Sequence, residues 1–207
     1  MTKVIEYPDY QRENALIERD GFNKIIGIDE AGRGPGAGPV VACALYVPPD
    51  QISSLAGRVR DSKKMTKKMR EKMYGFLVTS FEYAIGIVDN KEIDRINILE
   101  ATKLAIKKAT NLLPDSDYAL IDGNMTFTDL PIPYESIIKG DDKSISIAAA
   151  SVVAKVTRDR MMKELHETYP DYGWNTNNGY LSKKHIEAIQ KHGTTPYHRM
   201  SFRKVGR

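Results

Sequence analysis

Residues 25–47 read IIGIDEAGRGPGAGPVVACALYV, and the way this stretch divides decides the fold. An apolar run through Ile25, Ile26 and Ile28 meets two adjacent acids, Asp29 and Glu30, and gives way to four glycines and two prolines in residues 32–39. β-Branched and apolar residues then resume in PVVACALYV. Two strand-like runs joined by a short glycine-rich loop predict a β-hairpin. Gly32–Ala37 formally fits the dinucleotide fingerprint G-x-G-x-x-G/A, but that motif needs a helix directly after the loop to meet the pyrophosphate. Pro39 and a β-branched run follow instead, and no G-K-[ST] is present for a P-loop. The oxidoreductase reading therefore fails on context.

Outward from the hairpin, residues 8–20 predict a short helix. A helix follows over 65–76, with Thr66 as a candidate cap. SFEYAIGIVDN alternates as a third strand, and residues 91–112 carry helical spacing at Ile93, Ile96, Leu99, Leu104, Ala105 and Leu112. YALID (118–122) and ESIIK (135–139) read as further strands. The clearest helix is 144–169, whose Ala148-Ala149-Ala150-Ser151 stretch suggests a small-residue face close to a sheet. Turn signals and a helix over 182–192 complete the chain. Three antiparallel strands followed by alternating helices and strands describe an α/β fold, a mixed sheet with helices on its faces. The expected organisation is an N-terminal helix (1–20), a catalytic domain (21–168) and a small C-terminal helical subdomain (169–207) that contributes to substrate binding.

With 207 residues, 41% hydrophobic and 28% charged, the chain has the composition of an ordinary globular domain. No apolar run approaches the length of a membrane span, and MTKVIEYPDYQREN lacks a signal-peptide core, which points to a cytoplasmic protein without membrane attachment. The one cysteine, Cys43, allows no intrachain disulfide and suits a buried core thiol. The formal charge of +4 is mild, but the basic residues concentrate in RVRDSKKMTKKMREK (58–72) and in 183–207. Such segments beside an acidic centre are compatible with gripping a phosphate backbone, and equally with a solvated helix face and tail.

Two strands, IIGIDE and YALID, end in acids where their apolar pattern stops, and Asp141-Asp142 opens the long helix. If these converge at one sheet edge, their mutual repulsion is relieved by a divalent cation, and carboxylate oxygens suit Mg²⁺ or Mn²⁺. Two such ions about 4 Å apart support phosphodiester cleavage. Taken singly, strand-end acids are also ordinary solvated residues, so the pattern leaves both readings open. His166, His185, His192 and His198 have no zinc spacing and suit surface or capping roles. No serine-nucleophile elbow occurs. Trp174, in YGWNTNNGY, belongs to a turn-rich packing segment, and Tyr180 beside Gly179 could present a flat face to a sugar or base.

Seven motifs in order, GIDEAGRGP, DSKKM (61–65), EIDRINILEAT (92–102), LIDGN (120–124), KGDDKSISIAAASVVAKVTRDR (139–160), YGWNTNNGY (172–180) and HRMSF (198–202), make the chain resemble the bacterial ribonuclease HII family from about Ile26 to Arg203. The resemblance implies a ribonuclease H-like fold that cuts the RNA strand of an RNA–DNA hybrid. It implies four metal-binding, catalytic carboxylates at Asp29, Glu30, Asp122 and Asp141, with Asp142 outside the set. It also implies that Gly32, Arg33 and Gly34 lie against a ribonucleotide 2′-OH, and that Tyr180 packs on the next deoxyribose. A loop without Cβ atoms lets amides approach the group that distinguishes RNA from DNA. Cleavage 5′ of an embedded ribonucleotide follows, leaving 3′-OH and 5′-phosphate ends, with roles in ribonucleotide excision and in RNA primer removal during replication. Arg33 separates the chain from the sister ribonuclease HIII, which typically has lysine there and an additional N-terminal domain; too few residues precede Asp29 for one. Gly36 departs from the family, which usually carries a bulkier side chain, and the expectation is a looser loop.

Ser62, Lys63 and Lys64 are candidates for backbone phosphates. Ser151, Lys155, Arg158 and Asp159 form one polar stripe at helical spacing. Lys155 and Arg158 either meet the nucleic-acid backbone or pair with Asp159 in solvent. His198, Arg199 and Ser201 read as tail contacts. The partners expected are RNA–DNA hybrids and DNA with embedded ribonucleotides, bound by a monomer. A non-cleaving ribonuclease H-like binding module is the alternative.

Overall fold

A computed structural model of the chain describes residues 7–206. The first six residues of the expected N-terminal helix lie outside the described residues; within them α1 spans Gln11–Asp20. The hairpin forms as expected from β1 (Ile25–Ala31) and β2 (Val40–Tyr46), antiparallel with Asp29 opposite Cys43 and Glu30 opposite Ala42. β3 (Tyr83–Val88) continues antiparallel beside β2, whereas β4 (Tyr118–Asp122) and β5 (Tyr134–Ile137) add parallel strands beyond β1. The sheet order is β3-β2-β1-β4-β5. Because β1 lies between β2 and β4, its carboxyl end and that of its parallel neighbour β4 reach the same sheet edge, and each carries an acid there, Asp29 and Glu30 on β1 and Asp122 on β4.

Helices cover both faces, which explains why β2 is buried from Val40 to Leu45. α2 (Lys67–Ser80) opens with the Thr66 hydroxyl accepting the Met69 amide at 3.2 Å, the predicted cap. α4 (Ile145–Thr168), capped by Ser144, packs with α2 on the face that includes Cys43, Leu45 and Ala148–Ala150. α3 (Asn90–Asn111) covers the other face, where Ile26, Ile28, Ala42 and Ala44 meet Ala101, Ala105 and Ile106. This helix is not continuous, as the spacing predicts, but breaks at Asn97 (φ 69°, ψ 166°). The Asn97 Oδ1 accepts the amides of Leu99 and Glu100 at 2.9 and 3.2 Å and so caps the second half. A short polar side chain that satisfies freed amides makes such a break tolerable.

The approach of α4 to β1 is closest at Gly27. A Cβ placed there would lie 2.1 Å from the Ser146 carbonyl carbon, which is backbone and cannot yield. Gly27→Ala is therefore expected to destabilise the protein by about 3 kcal/mol, on the order of 10 °C in Tm. Thermal denaturation followed by circular dichroism reads this directly, and a variant melting with the wild type would show that α4 has room to move.

After α4 the chain makes α5 (Trp174–Asn177) and α6 (Lys183–His192). This segment folds onto the main body: Trp174 and Tyr172 share a cluster with Ala37 and Met162, and Ala37 bridges to His198. It therefore clasps the loop between β1 and β2. No described helix is long and apolar enough to cross a membrane.

Candidate metal centre and its glycine loop

Three elements deliver acids to one point. Asp29 lies near the end of β1, Asp122 ends β4, and Asp141 sits in the 3₁₀ turn Gly140–Asp142 ahead of α4. Carboxylate oxygens of these three lie within 4.8 Å of one another. Asp122 Oδ1 accepts the Gly140 amide at 2.7 Å, which ties the end of β4 to the turn. Asp29 Oδ1 accepts the Glu30 amide at 2.7 Å. Glu30, expected as a fourth member, alternates to the other side of the strand and stands beside this trio rather than within it. Its Oε1 accepts from Arg33 at 3.4 Å, and its Oε2 is buried without a hydrogen-bond partner.

Crowding acids in a poorly hydrated niche makes their charge costly. Burial pushes the Asp29 carboxyl well above its ordinary range, and the charges of Glu30 and Asp122 add to this. Asp141 is raised to about 7 by burial, then by Asp122. Glu30 is raised by burial, with the Arg33 guanidinium opposing. Although burial works against it, the Lys63 ammonium is held above its usual value by Asp29, Asp61 and Asp141. An oxygen-only donor set, short of counter-charge and with an orphaned carboxylate oxygen beside it, fits a hard divalent cation.

The glycine loop borders this cluster. One cavity is lined by Asp29, Glu30, Gly32, Arg33, Gly34, Lys63, Lys155 and Tyr180. Gly32 has φ 105°, a left-handed conformation that other residues avoid, and a Cβ on it would lie 2.2 Å from Arg158 Nε. Five carbonyls of the loop, those of Gly32, Arg33, Ala37, Gly38 and Pro39, are held by two arginines. Arg199 donates to the oxygens of Gly32 (2.7 Å), Arg33 (3.1 Å), Gly38 (2.9 Å) and Pro39 (3.0 Å). Arg158 donates to Pro39 (2.9 Å), Ala37 (3.1 Å) and, across the loop, Asn178 (2.9 Å). Among the described residues, the amides of Gly32, Arg33 and Gly34 donate to no protein acceptor. The loop thus has tethered carbonyls and free N–H groups. Tyr180, half exposed, sets its ring beside it, 3.2 Å from where a Cβ on Gly34 would stand.

Several expectations need correction. Arg158 is only 2% exposed, so it neither meets a phosphate backbone nor pairs in solvent; its guanidinium is consumed by the loop. Arg199 is fully buried and is the principal clamp rather than a tail contact. Burial lowers the two guanidinium pKa values to about 10 and about 9, and both stay charged at neutral pH. Gly36 does not loosen the loop. Its amide donates to Gly179 at 2.9 Å, its carbonyl accepts the Arg199 amide at 2.8 Å, and a Cβ would fall 2.7 Å from Leu181 Cδ2. The glycine makes room for Leu181, and the chain is pinned on both sides of it. His185 and His198 are buried, not superficial.

The remaining candidates divide. The Ser62 hydroxyl is buried and accepts from Ser151 at 2.9 Å, so it joins the 3₁₀ turn Ser62–Lys64 to α4 at the cavity wall. Lys64 is exposed and paired with Asp142 at 2.5 Å. Lys155 is paired with Asp159 at 2.7 Å at the cavity wall. The cluster therefore gathers Asp29, Asp122 and Asp141, with Glu30, Lys63 and the loop around them.

Compared with known proteins, residues 26–205 match the family model described as Ribonuclease HII. The chain is 53% identical over 182 residues to a ribonuclease HII of Rickettsia bellii (strain OSU 85-389), covering 87% of this chain and 90% of that one. It is 51% identical over 195 residues to a ribonuclease HII of Orientia tsutsugamushi (strain Ikeda), with 93% of each covered. Among solved structures, the ribonuclease H2 from Pyrococcus horikoshii OT3 superposes with a TM-score of 0.73 at 29% identity, covering 88% of this chain and 95% of that one.

Proposed function

The chain belongs to the ribonuclease HII family, type 2 ribonucleases H that act on RNA–DNA substrates, and from this premise we propose that it cuts 5′ of single ribonucleotides embedded in duplex DNA. The products carry 3′-OH and 5′-phosphate ends. The observation that carries this reading is the loop whose carbonyls are tied back by Arg199 and Arg158 while the amides of Gly32, Arg33 and Gly34 stay unpaired beside the carboxylate cluster. Preorganised donors in that place suit a 2′-OH, which a deoxynucleotide lacks.

In this reading Asp29, Glu30, Asp122 and Asp141 hold Mn²⁺ or Mg²⁺ as a two-ion site. When bound, such ions make a water nucleophilic and offset charge on the leaving oxygen. The chain's own groups do the rest. The loop amides place the ribose so that its 5′ phosphate falls on the carboxylate edge. The Tyr180 ring covers the next deoxyribose. Lys63, held charged by the acids around it, faces the incoming phosphate, and Lys64 and Lys155 lie where flanking phosphates run. The C-terminal segment contributes Tyr180 and the clamp. The protein works as a cytoplasmic monomer in ribonucleotide excision and in primer removal. The test is a duplex carrying one ribonucleotide, incubated with Mn²⁺ or with EDTA. Cleavage only with metal supports the reading, and bound but uncut duplex would assign a binding module instead.

The acids also set a pH dependence. Asp29, Glu30 and Asp141 bind protons more tightly folded than unfolded, so the metal-free protein loses stability as pH rises from the ordinary carboxylate range through about 7. A cation competes with those protons. The rise in Tm on adding Mg²⁺ is therefore expected to be larger at pH 8 than at pH 6. Equal shifts at both values would mean that the ion binds elsewhere.

A further inference from the structure

His185, in the first turn of α6, and His198, next to Arg199, lie side by side at 0% and 1% exposure beneath the segment that presents Tyr180. Each ring nitrogen has a partner that decides its role. His185 Nδ1 is 2.9 Å from the Tyr180 carbonyl oxygen, which can only accept, so this nitrogen carries the hydrogen. In the neutral ring Nε2 then accepts, and the Trp174 indole N–H donates to it at 3.1 Å. His198 Nδ1 accepts the Thr195 amide at 2.9 Å, which puts its hydrogen on Nε2. That atom lies 3.1 Å from His185 Nε2 and shares the single lone pair there with the Trp174 N–H, in a three-centre bond. Two neutral tautomers are thus dictated from both ends of a chain running from Thr195 through His198 and His185 to the Tyr180 carbonyl. Burial among Tyr172 and Trp174 lowers the basicity of both rings and keeps them neutral.

Tyr180 needs such an anchor. It follows two consecutive left-handed residues, Asn178 (φ 49°) and Gly179 (φ 82°), in a stretch that belongs to no helix or strand. Its carbonyl is held by His185 and by the Ser182 amide at 2.8 Å, while its ring projects into the cavity. We propose that His185, oriented by His198, is a positioning residue for Tyr180, whose Nδ1–H holds the Tyr180 carbonyl and so aims the exposed ring at the sugar beside the ribonucleotide. This rests on the reading of Tyr180 as the sugar-contacting residue.

Two substitutions separate the role from general packing. His185→Gln keeps an acceptor for Trp174 and His198 but loses the donor to Tyr180, whereas His185→Asn keeps a donor near the position of Nδ1. For a single-ribonucleotide duplex, the glutamine variant is expected to raise KM about tenfold with kcat nearly unchanged, and asparagine to restore KM to within about threefold. In a Tyr180→Ala background the glutamine change should raise KM no further. An unchanged KM for His185→Gln, or an undiminished effect without the Tyr180 ring, overturns the proposal. Nitrogen-15 NMR of the imidazoles should find Nδ1–H on His185 and Nε2–H on His198 in the unliganded protein. Reversed tautomers overturn the proposal and leave the Tyr180 reading standing. If Tyr180→Ala alone leaves KM unchanged, the Tyr180 reading falls, and this proposal with it.

Discussion

Asp29→Asn is expected to lower kcat by about 10³-fold or more while the metal-free protein melts above the wild type. The loss follows from position: Asp29 belongs to the trio whose oxygens converge within 4.8 Å, and a neutral amide removes one of the charges that would hold the ions. Ions that supply several kcal/mol of charge stabilisation correspond to three or more factors of ten in rate. The gain in stability has the opposite origin. Asp29 is buried, and Glu30 and Asp122 disfavour its charge, so an uncharged side chain of the same shape relieves repulsion. Asparagine can still accept the Glu30 amide that Oδ1 now holds at 2.7 Å. Cleavage assays with added metal and a melting curve without it check both halves. Retained turnover would remove Asp29 from the catalytic set.

Arg199→Met is expected to cost about 4 kcal/mol, on the order of 10 °C in Tm, and to weaken recognition of a lone ribonucleotide more than cleavage of a continuous hybrid. Methionine fills much of the volume but strips the carbonyls of Gly32, Arg33 and Gly38 of their partner and leaves Pro39 held by Arg158 alone. Freed carbonyls rotate, and the amides that alternate with them lose their common direction. The carboxylates sit on strand ends and the 140–142 turn, outside the loop, so chemistry on a hybrid that offers many 2′-OH groups should suffer less. Arg199→Lys should rescue little, because one ammonium cannot span four acceptors. Thermal melts and the ratio of KM values on the two substrates test this. A methionine variant melting within about 2 °C of the wild type would show that the clamp is dispensable.

The sheet and the acids were legible because both leave marks at strand periodicity. IIGIDEA and YALID end in Asp29-Glu30 and Asp122 where burial stops, and once the two strands lie parallel those ends share an edge. Thr66 announced its helix by capping chemistry. What escaped has partners that carry no sequence signature. Arg158 and Arg199 bind backbone carbonyls, which every residue supplies, so nothing in KVTRDR or HRMSF distinguishes them from solvated charges. His185 and His198 find each other across a turn with no metal-like spacing. The separation of Glu30 from the trio depends on strand alternation at the last residues of β1, where a carboxylate can curl toward either side. Asn97 sits inside an otherwise helical pattern, and its break appears only in the backbone. Gly36 read as slack because the side chain that fills its space, Leu181, is distant in sequence.

The central claim is that a rigid loop with free amides sets a ribose against the carboxylate edge. Its most direct measurement maps the cut in a duplex carrying one ribonucleotide, in the presence of Mn²⁺, to single-nucleotide resolution. The account predicts one incision on the 5′ side of the ribonucleotide, with 3′-OH and 5′-phosphate ends and none in the matching all-DNA duplex. Cutting on the 3′ side, or cutting of the all-DNA duplex at a comparable rate, would contradict it.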